Sequence, residues 1–219
     1  MVEKKYNKVL TVVIVIAVVA AIGVLGYWGY DTYRKYYERS EANEALSQFD
    51  NVIIRQRNTT NETQRVELDA NMVFENEVGG GTNTNPTYKG FAMSGKIEIP
   101  KIKLNYPVLA RATEASLEVG VGISYGPGLN QVGNTVIYGH NYKDKTFFSD
   151  LDELSNGDAI YITDNSGNRQ RYKIYNIYTT SPSDLEYANR DTAGKKEITL
   201  STCTDDVQAR LIIWAVEDE

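Results

Sequence analysis

The chain opens with one long apolar segment, after which hydrophobic and polar positions alternate over short distances. Residues 9–30 carry no charged side chain, and about 20 apolar residues suffice to cross the hydrocarbon core of a bilayer as a helix. Tyr27, Trp28 and Tyr30 crowd the end of this segment, and such amphipathic rings favour the membrane interface. The pattern therefore predicts a transmembrane helix. A cleaved signal peptide is the alternative, although its apolar core usually spans only about 7–15 residues.

Lysines precede the apolar segment at positions 4, 5 and 8. Positive charge next to a membrane helix marks its cytoplasmic side. Residues 1–30 are therefore predicted to form a cytoplasmic tip and a single-pass signal-anchor in the cell membrane. Everything after residue 30 is then expected to be extracellular.

Residues 31–87 are predicted to connect the anchor to a folded domain. From Asp31 to Arg57 apolar side chains recur at spacings of three and four among helix formers, which indicates a juxtamembrane helix. That helix is either a solvated stalk or leans on the folded domain. Residues 58–64 and 79–86 are polar and rich in helix breakers, which predicts flexible linkers.

From Tyr88 onward the chain consists of short β-branched and aromatic runs separated by turn residues. This pattern predicts an all-β domain over residues 88–219, either a barrel or a sandwich. One short helical piece is expected at Asp150–Leu154. The predicted strands are 94–99, 106–109, 134–138, 159–163, 171–178, 198–203 and 210–216.

The composition excludes several kinds of partner and site. The net charge of −6 offers no basic surface for nucleic acid. A single cysteine and a single histidine exclude both an internal disulfide and a Cys/His zinc site. Asp184 and Glu186 lie in a polar loop, where two carboxylates are more typical of solubility than of a calcium site. No metal and no cofactor are predicted.

Three residues are candidates for catalysis because each lies at a predicted strand end. Cys203 closes one strand and Arg210 opens the next, while His140 follows a third. A cysteine thiolate is nucleophilic and is stabilised by nearby cations. Imidazole transfers protons near neutral pH, and a guanidinium offers a permanent positive charge to an oxyanion. Together they indicate acyl transfer through a thioester. Taken singly, each has an ordinary explanation: a buried thiol, a satisfied histidine or a surface ion pair.

The motifs around these residues resemble those of the sortase family. They are Asn134-Thr-Val-Ile-Tyr-Gly-His140, Thr199-Leu-Ser-Thr-Cys203 and Arg210-Leu-Ile-Ile213, and the resemblance covers about residues 90–216. Sortases are membrane-anchored cysteine transpeptidases, chiefly of Gram-positive bacteria. The resemblance implies an eight-stranded β-barrel. It also implies partners: surface proteins bearing a C-terminal sorting signal, often of the LPxTG kind, and a cell-wall or pilin amine that accepts the acyl group.

The same resemblance implies a role for each candidate. Cys203 would attack the scissile carbonyl and form the acyl-enzyme. His140 would donate a proton to the departing amine and accept one from the attacking amine. Arg210 would hold the peptide or stabilise the oxyanion. The motifs look like those of class B, but the segment between Tyr178 and Glu197 is shorter than that class usually has.

Two other interpretations stay open at this point. One is a thiol hydrolase or an L,D-transpeptidase-like enzyme, although six residues separate Cys203 from Arg210, whereas the L,D-transpeptidases place both in one short motif. The other is a non-catalytic, membrane-tethered β-domain that binds a wall or partner protein. The sequence does not identify the sortase class, the sorting signal, the acceptor, calcium dependence, the oligomeric state or whether residues 31–87 cover the site.

Overall fold

The structure is a computed structural model that describes residues 2–69 and 86–218, with side chains described for 10–37, 40–58 and 86–218. Its first element is helix α1, Val2–Asp69. Within α1 lies the one helix, among the described residues, that is long and apolar enough to cross a membrane, in the range Leu10–Asn58. The helices expected at 9–30 and 31–57 are both confirmed as helical.

Residues 58–64 continue α1, so the linker predicted there is wrong. Extending an existing helix adds one hydrogen bond for each residue fixed and avoids the cost of nucleation. Polar residues that would not start a helix can therefore prolong one. The linker predicted at 79–86 lies outside the described residues except for Pro86. The chain divides into two units, residues 1–41 and 42–219.

The second unit is built on a closed, mixed β-sheet. Its strands are β1 (Thr87–Tyr88), β2 (Phe91–Ile99), β3 (Leu104–Leu109), β4 (Val121–Tyr125), β5 (Gly133–Tyr138), β6 (Ala159–Asp164), β7 (Arg169–Thr180), β8 (Lys196–Cys203) and β9 (Arg210–Glu217). They are joined in the order β1-β2-β3-β4-β5-β8-β9-β7-β6, and β6 also pairs with β2. The last pairing closes β2–β9 into an eight-stranded barrel, as predicted.

Two parallel pairs interrupt the antiparallel order, β3 with β4 and β5 with β8. The short helices are α2 (Glu114–Leu117) and two 3-10 turns, Pro100–Ile102 and Leu151–Glu153. The second turn lies within the helical piece expected at 150–154. Every predicted strand falls inside an observed one.

Strand β4 was not predicted from the sequence. Its five residues include Gly122, and glycine normally weakens a strand. A Cβ at Gly122 would lie 2.9 Å from the carbonyl oxygen of Arg111. Gly122 therefore weakens the strand signal in the sequence, but it allows the close approach of a neighbouring backbone.

Part of α1 belongs to the core of the second unit. Phe49 is completely buried and Ile53 is nearly so, and both join the same apolar cluster as the barrel interior. The Lys96 ammonium group on β2 lies 2.8 Å from Asp50 on the helix, and Arg57 donates a hydrogen bond to the carbonyl of Gly167 between β6 and β7. Residues 42–57 therefore lean on the domain, one of the two alternatives that the sequence left open.

We expect Phe49→Ala to lower the free energy of unfolding by about 3–5 kcal/mol, because the change removes buried apolar area and leaves a cavity. Urea unfolding of the chain beginning at Asp31 measures the difference. Ile54→Ala is the matched control, since this neighbouring side chain is 55% exposed and its loss should cost about 0.5 kcal/mol or less. Equal losses for the two variants would show that the helix does not pack on the barrel in solution.

Candidate active site

Strands β5, β8 and β9 lie side by side and present one face to the barrel interior and the other outward. On β8, Ile198 and Leu200 point into the main core cluster. Because side chains alternate across a strand, Ser201 lies with Cys203 on the outer face, while the intervening Thr202 lies on the other. Residues of β5 and β9 on that outer face form a second, smaller apolar cluster, which includes Val136 and Ile212. The candidate residues therefore belong to the outside of the barrel.

Cys203 and Arg210 are directly paired across β8 and β9. Directly opposed residues of an antiparallel pair project to the same face. Cys203 is half-buried, so its sulfur is not sealed inside the barrel. The return loop between the two strands is closed by the Thr204 amide, which donates to the carbonyl of Ala209 at 2.9 Å.

The same loop is stiffened by Asp206. Its carboxylate accepts hydrogen bonds from the Thr204 hydroxyl at 2.6 Å and from the Gln208 amide at 3.1 Å. These two bonds, the hydroxyl first, lower the pKa of Asp206 because they stabilise its charged form. The six-residue connection between Cys203 and Arg210 is thus a structured turn.

His140 is brought to the same end of the sheet by β5. Parallel pairing of β5 with β8 places Tyr138 beside Ser201, and the Thr202 hydroxyl donates to the carbonyl of Gly139 at 2.8 Å. Two residues beyond each paired position lie His140 and Cys203. A Cβ at Gly139 would lie 2.7 Å from the ring of Phe148, so a glycine is needed for the chain to enter the histidine position.

Asn141 ties the histidine loop to the cysteine strand. Its amide nitrogen donates to the carbonyl of Cys203 at 3.1 Å and to the carboxylate of Asp205 at 2.9 Å. The His140 ring stacks on Tyr142, with 5.0 Å between the ring centres. The loop that follows His140 is therefore held against the cysteine strand, and the imidazole ring rests on Tyr142.

The Arg210 side chain turns across β8. Its Cα pairs with Cys203 on β8, yet its guanidinium carbon lies 5.3 Å from the ring centre of Tyr138 on β5. Strand β8 lies between β5 and β9, so the side chain passes over the strand that ends in the cysteine. The structure brings the predicted arginine toward both the cysteine and the histidine strand.

The loop between β7 and β8, residues 181–195, lies against this outer face and is anchored by Asn134. The Asn134 amide nitrogen donates to the carbonyls of Tyr187 and Ala188 at 3.1 and 2.9 Å. Its amide oxygen accepts from the Thr199 hydroxyl at 2.8 Å and from Arg190 at 3.3 Å. A single buried side chain thus fixes the middle of the loop to β5 and β8.

A largely buried ion pair anchors the loop a second time. Arg190 pairs with Glu197 and its guanidinium carbon lies 4.3 Å from the ring centre of Trp214. The Tyr175 hydroxyl donates to Glu197 at 2.8 Å. Burial, and next the bond to Glu197, raise the pKa of Tyr175 to about 12. The phenol therefore stays protonated and remains a donor to the carboxylate.

The acidic residues of the loop are engaged locally. Asp184 accepts from the Thr180 hydroxyl and from the amide of Glu186, at 2.9 Å for the amide. These bonds, the hydroxyl first, lower the pKa of Asp184. Within residues 10–58 and 86–218, no group of three or more His, Cys, Asp or Glu side chains is arranged to hold a metal. Asp184 serves to shape the loop.

Sequence reasoning missed several residues that shape the site: Asn134, Tyr138, Asn141, Tyr142, Tyr187 and Arg190. Four of these lie within or beside the histidine motif and were visible as part of it, but nothing in one sequence assigns them a partner. Tyr187 and Arg190 lie in a polar loop and carry no pattern at all. Their partners come from strands that only the fold brings together.

Comparison with models of known protein families identifies the family of this chain. A model described as "Sortase domain" matches residues 97–218, which span β5, β8 and β9 with their strand-end residues. The chain belongs to the sortase family. The sequence-based resemblance is thereby confirmed, and this sortase is a transpeptidase by family membership.

Individual relatives agree with this assignment. "Sortase A" of Bacillus anthracis is 31% identical over 157 residues, which cover 71% of this chain and 72% of the relative. A Clostridium perfringens Sortase D5 transpeptidase structure is 26% identical, with a TM-score of 0.60, over 82% of this chain and 99% of that one. The structure of a lid mutant of Sortase A from Corynebacterium diphtheriae is 27% identical, with a TM-score of 0.56, over 79% of this chain and 95% of that one.

We expect Asn134→Ala to loosen the loop of this sortase. The change leaves the carbonyls of Tyr187 and Ala188 without their donor, at a cost of about 1–3 kcal/mol. Hydrogen exchange should therefore rise at the amides of residues 185–190, while the strands away from the loop keep their protection. The control is Asn189→Ala, an exposed position in the same loop. If both variants exchange like the parent, the Asn134 bonds do not hold the loop.

Proposed function

We propose that this sortase cleaves a C-terminal sorting signal through a thioester on Cys203. The observation that carries the proposal is the direct pairing of Cys203 with Arg210, joined to the hydrogen bond from Asn141 to the Cys203 carbonyl. These contacts support a shared site for a nucleophile, a proton-transfer group and a fixed positive charge. That Cys203 is only half-buried supports access of substrate to the thiol.

In the first half-reaction the Cys203 thiolate attacks the scissile carbonyl carbon, and the carbonyl electrons move onto the oxygen. The guanidinium of Arg210 stabilises that oxyanion, an effect that elsewhere is worth about 3–4 kcal/mol for one donor. The tetrahedral intermediate then expels the amine of the C-terminal fragment, which takes a proton from the His140 imidazolium. A thioester to the N-terminal part of the substrate remains.

In the second half-reaction an amine attacks the thioester. The neutral imidazole of His140 accepts the proton from that amine, and the thiolate of Cys203 leaves. The acceptor is a cell-wall or pilin amine and the signal is of the LPxTG kind, as family resemblance implies. The substrates are secreted surface proteins.

The apolar helix of residues 9–30 fits a membrane anchor. With lysines 4, 5 and 8 on its N-terminal side, the anchor places the N-terminus in the cytoplasm and the barrel outside. This orientation brings the site to the surface where secreted proteins and wall amines meet.

Cys203 is expected to react rapidly with a thiol-specific probe and to support ligation. The experiment uses the chain beginning at Asp31, which retains the core residues 42–53, with pools of sorting-signal peptides and an added amine. A new amide product that depends on both the amine and Cys203, and that is lost in Cys203→Ala, supports the proposal. Peptide cleavage that ignores added amine would indicate a thiol hydrolase. A folded chain with an unreactive Cys203 would indicate a non-catalytic β-domain.

His140→Ala is expected to reduce turnover by about 10²–10⁴-fold, the usual contribution of a positioned proton-transfer group. Steady-state transpeptidation measures the rate, and urea unfolding of the same protein measures stability. The half-buried imidazole stacks only on the 43% exposed Tyr142, so the free energy of unfolding should change little. Cooperative loss of the fold would identify a structural histidine instead.

A further inference from the structure

The guanidinium of Arg210 rests on an aromatic support that the proposed chemistry does not use. Tyr138, the last residue of β5, places its ring centre 5.3 Å from the guanidinium carbon. The hydroxyl of Tyr138 forms a hydrogen bond with the hydroxyl of Tyr187. Tyr187 is only 1% exposed although it belongs to the loop of residues 181–195.

The arginine is held by this ring rather than by an acid. In the part of the chain with described side chains, Nε of Arg210 is buried and has no hydrogen-bond partner, and no carboxylate forms an ion pair with the guanidinium. An aromatic face attracts a cation through its quadrupole and supplies no net negative charge. The full positive charge of Arg210 is therefore left for a developing oxyanion.

The ring of Tyr138 is in turn fixed by Tyr187. The Tyr187 side chain packs with Val136 and Ile212 in the outer-face cluster, and its carbonyl accepts the amide of Asn134. Burial, and next the bond with Tyr138, raise the pKa of Tyr187 to about 12. The Tyr187 hydroxyl thus keeps its proton over the working pH range and can maintain the bond between the two phenols.

We propose that Tyr138 and Tyr187 are positioning residues for the acyl-transfer step, Tyr138 through the face of its ring and Tyr187 by fixing that ring. The inference rests on the proposed role of Arg210. It assigns a function to the loop between β7 and β8: the loop supplies Tyr187, which fixes the ring on which the arginine rests.

The test measures the single-turnover rate of Cys203 acylation by a sorting-signal peptide, using mass spectrometry on the full chain in detergent. Tyr138→Leu removes the ring and should slow acylation about 5- to 30-fold, the range set by a partly buried cation–π contact. Tyr138→Phe keeps the ring and should lose about 3-fold or less, as should Tyr187→Phe, because each removes only one hydroxyl bond. The peptide concentration at half-maximal rate should change little.

A double-mutant cycle separates positioning from a general structural role. In the Arg210→Ala background Tyr138→Leu should have almost no further effect, because the group that it positions is gone. If Tyr138→Leu slows acylation by the same factor with and without Arg210, the positioning proposal is overturned while the proposed function stands. If Arg210→Ala alone leaves the rate unchanged, the role proposed for the arginine fails, and this inference fails with it.

A second series guards against a Tyr138→Leu variant that does not fold. Phenylalanine with one, two or three ring fluorines at position 138 keeps the shape of the side chain and progressively weakens the negative ring face. The acylation rate should fall stepwise with each fluorine in the Arg210 protein and stay constant in Arg210→Ala. A rate that does not respond to fluorination in the Arg210 protein would overturn the proposal.

Discussion

The site depends on how β8 is paired with its two neighbours. Parallel pairing with β5 sets Tyr138 beside Ser201, and antiparallel pairing with β9 sets Cys203 opposite Arg210. A shift of either register by one residue would move the paired side chains to the other face of the sheet. The backbone register of the barrel therefore determines which residues lie beside Cys203.

The outer face of these strands carries a polar network beside its small apolar cluster. Asn134 binds two loop carbonyls, and the Arg190–Glu197 pair lies largely buried beside Trp214. Removing one member of a buried ion pair leaves an uncompensated charge, which typically costs about 3–5 kcal/mol. Such a network fixes the loop in one position. The loop can then hold Tyr187 against Tyr138 on the outer face of the barrel.

Much of the fold was predictable because its signals are local. The charge-free run of residues 9–30 and the alternating strands from Phe91 onward each carry a hydrophobic pattern that is complete within the segment itself. Strand β4 was not predicted because Gly122 is required by the close backbone of Arg111. That contact is not visible in the local sequence pattern. Helix residues 58–64 escaped because helix propagation depends on what precedes them.

Part of the candidate site could be nominated from the sequence. Cys203, His140 and Arg210 are chemically distinctive and lie at strand ends, so their motifs were sufficient to nominate them. Tyr138 and Tyr187 are two of sixteen tyrosines, and only the fold brings their hydroxyls together. Such residues can be identified only from the folded structure. Their role depends on which side chain they contact and not on their residue type.

Thioester formation on Cys203 is tested by the mass of the enzyme after incubation with a sorting-signal peptide in the absence of an amine acceptor. The proposed mechanism predicts a covalent adduct equal in mass to the N-terminal fragment of the peptide, mapped to Cys203 and released by hydroxylamine, as a thioester would be. Turnover of the peptide with no adduct on Cys203, or an adduct of equal yield in Cys203→Ala, would contradict it.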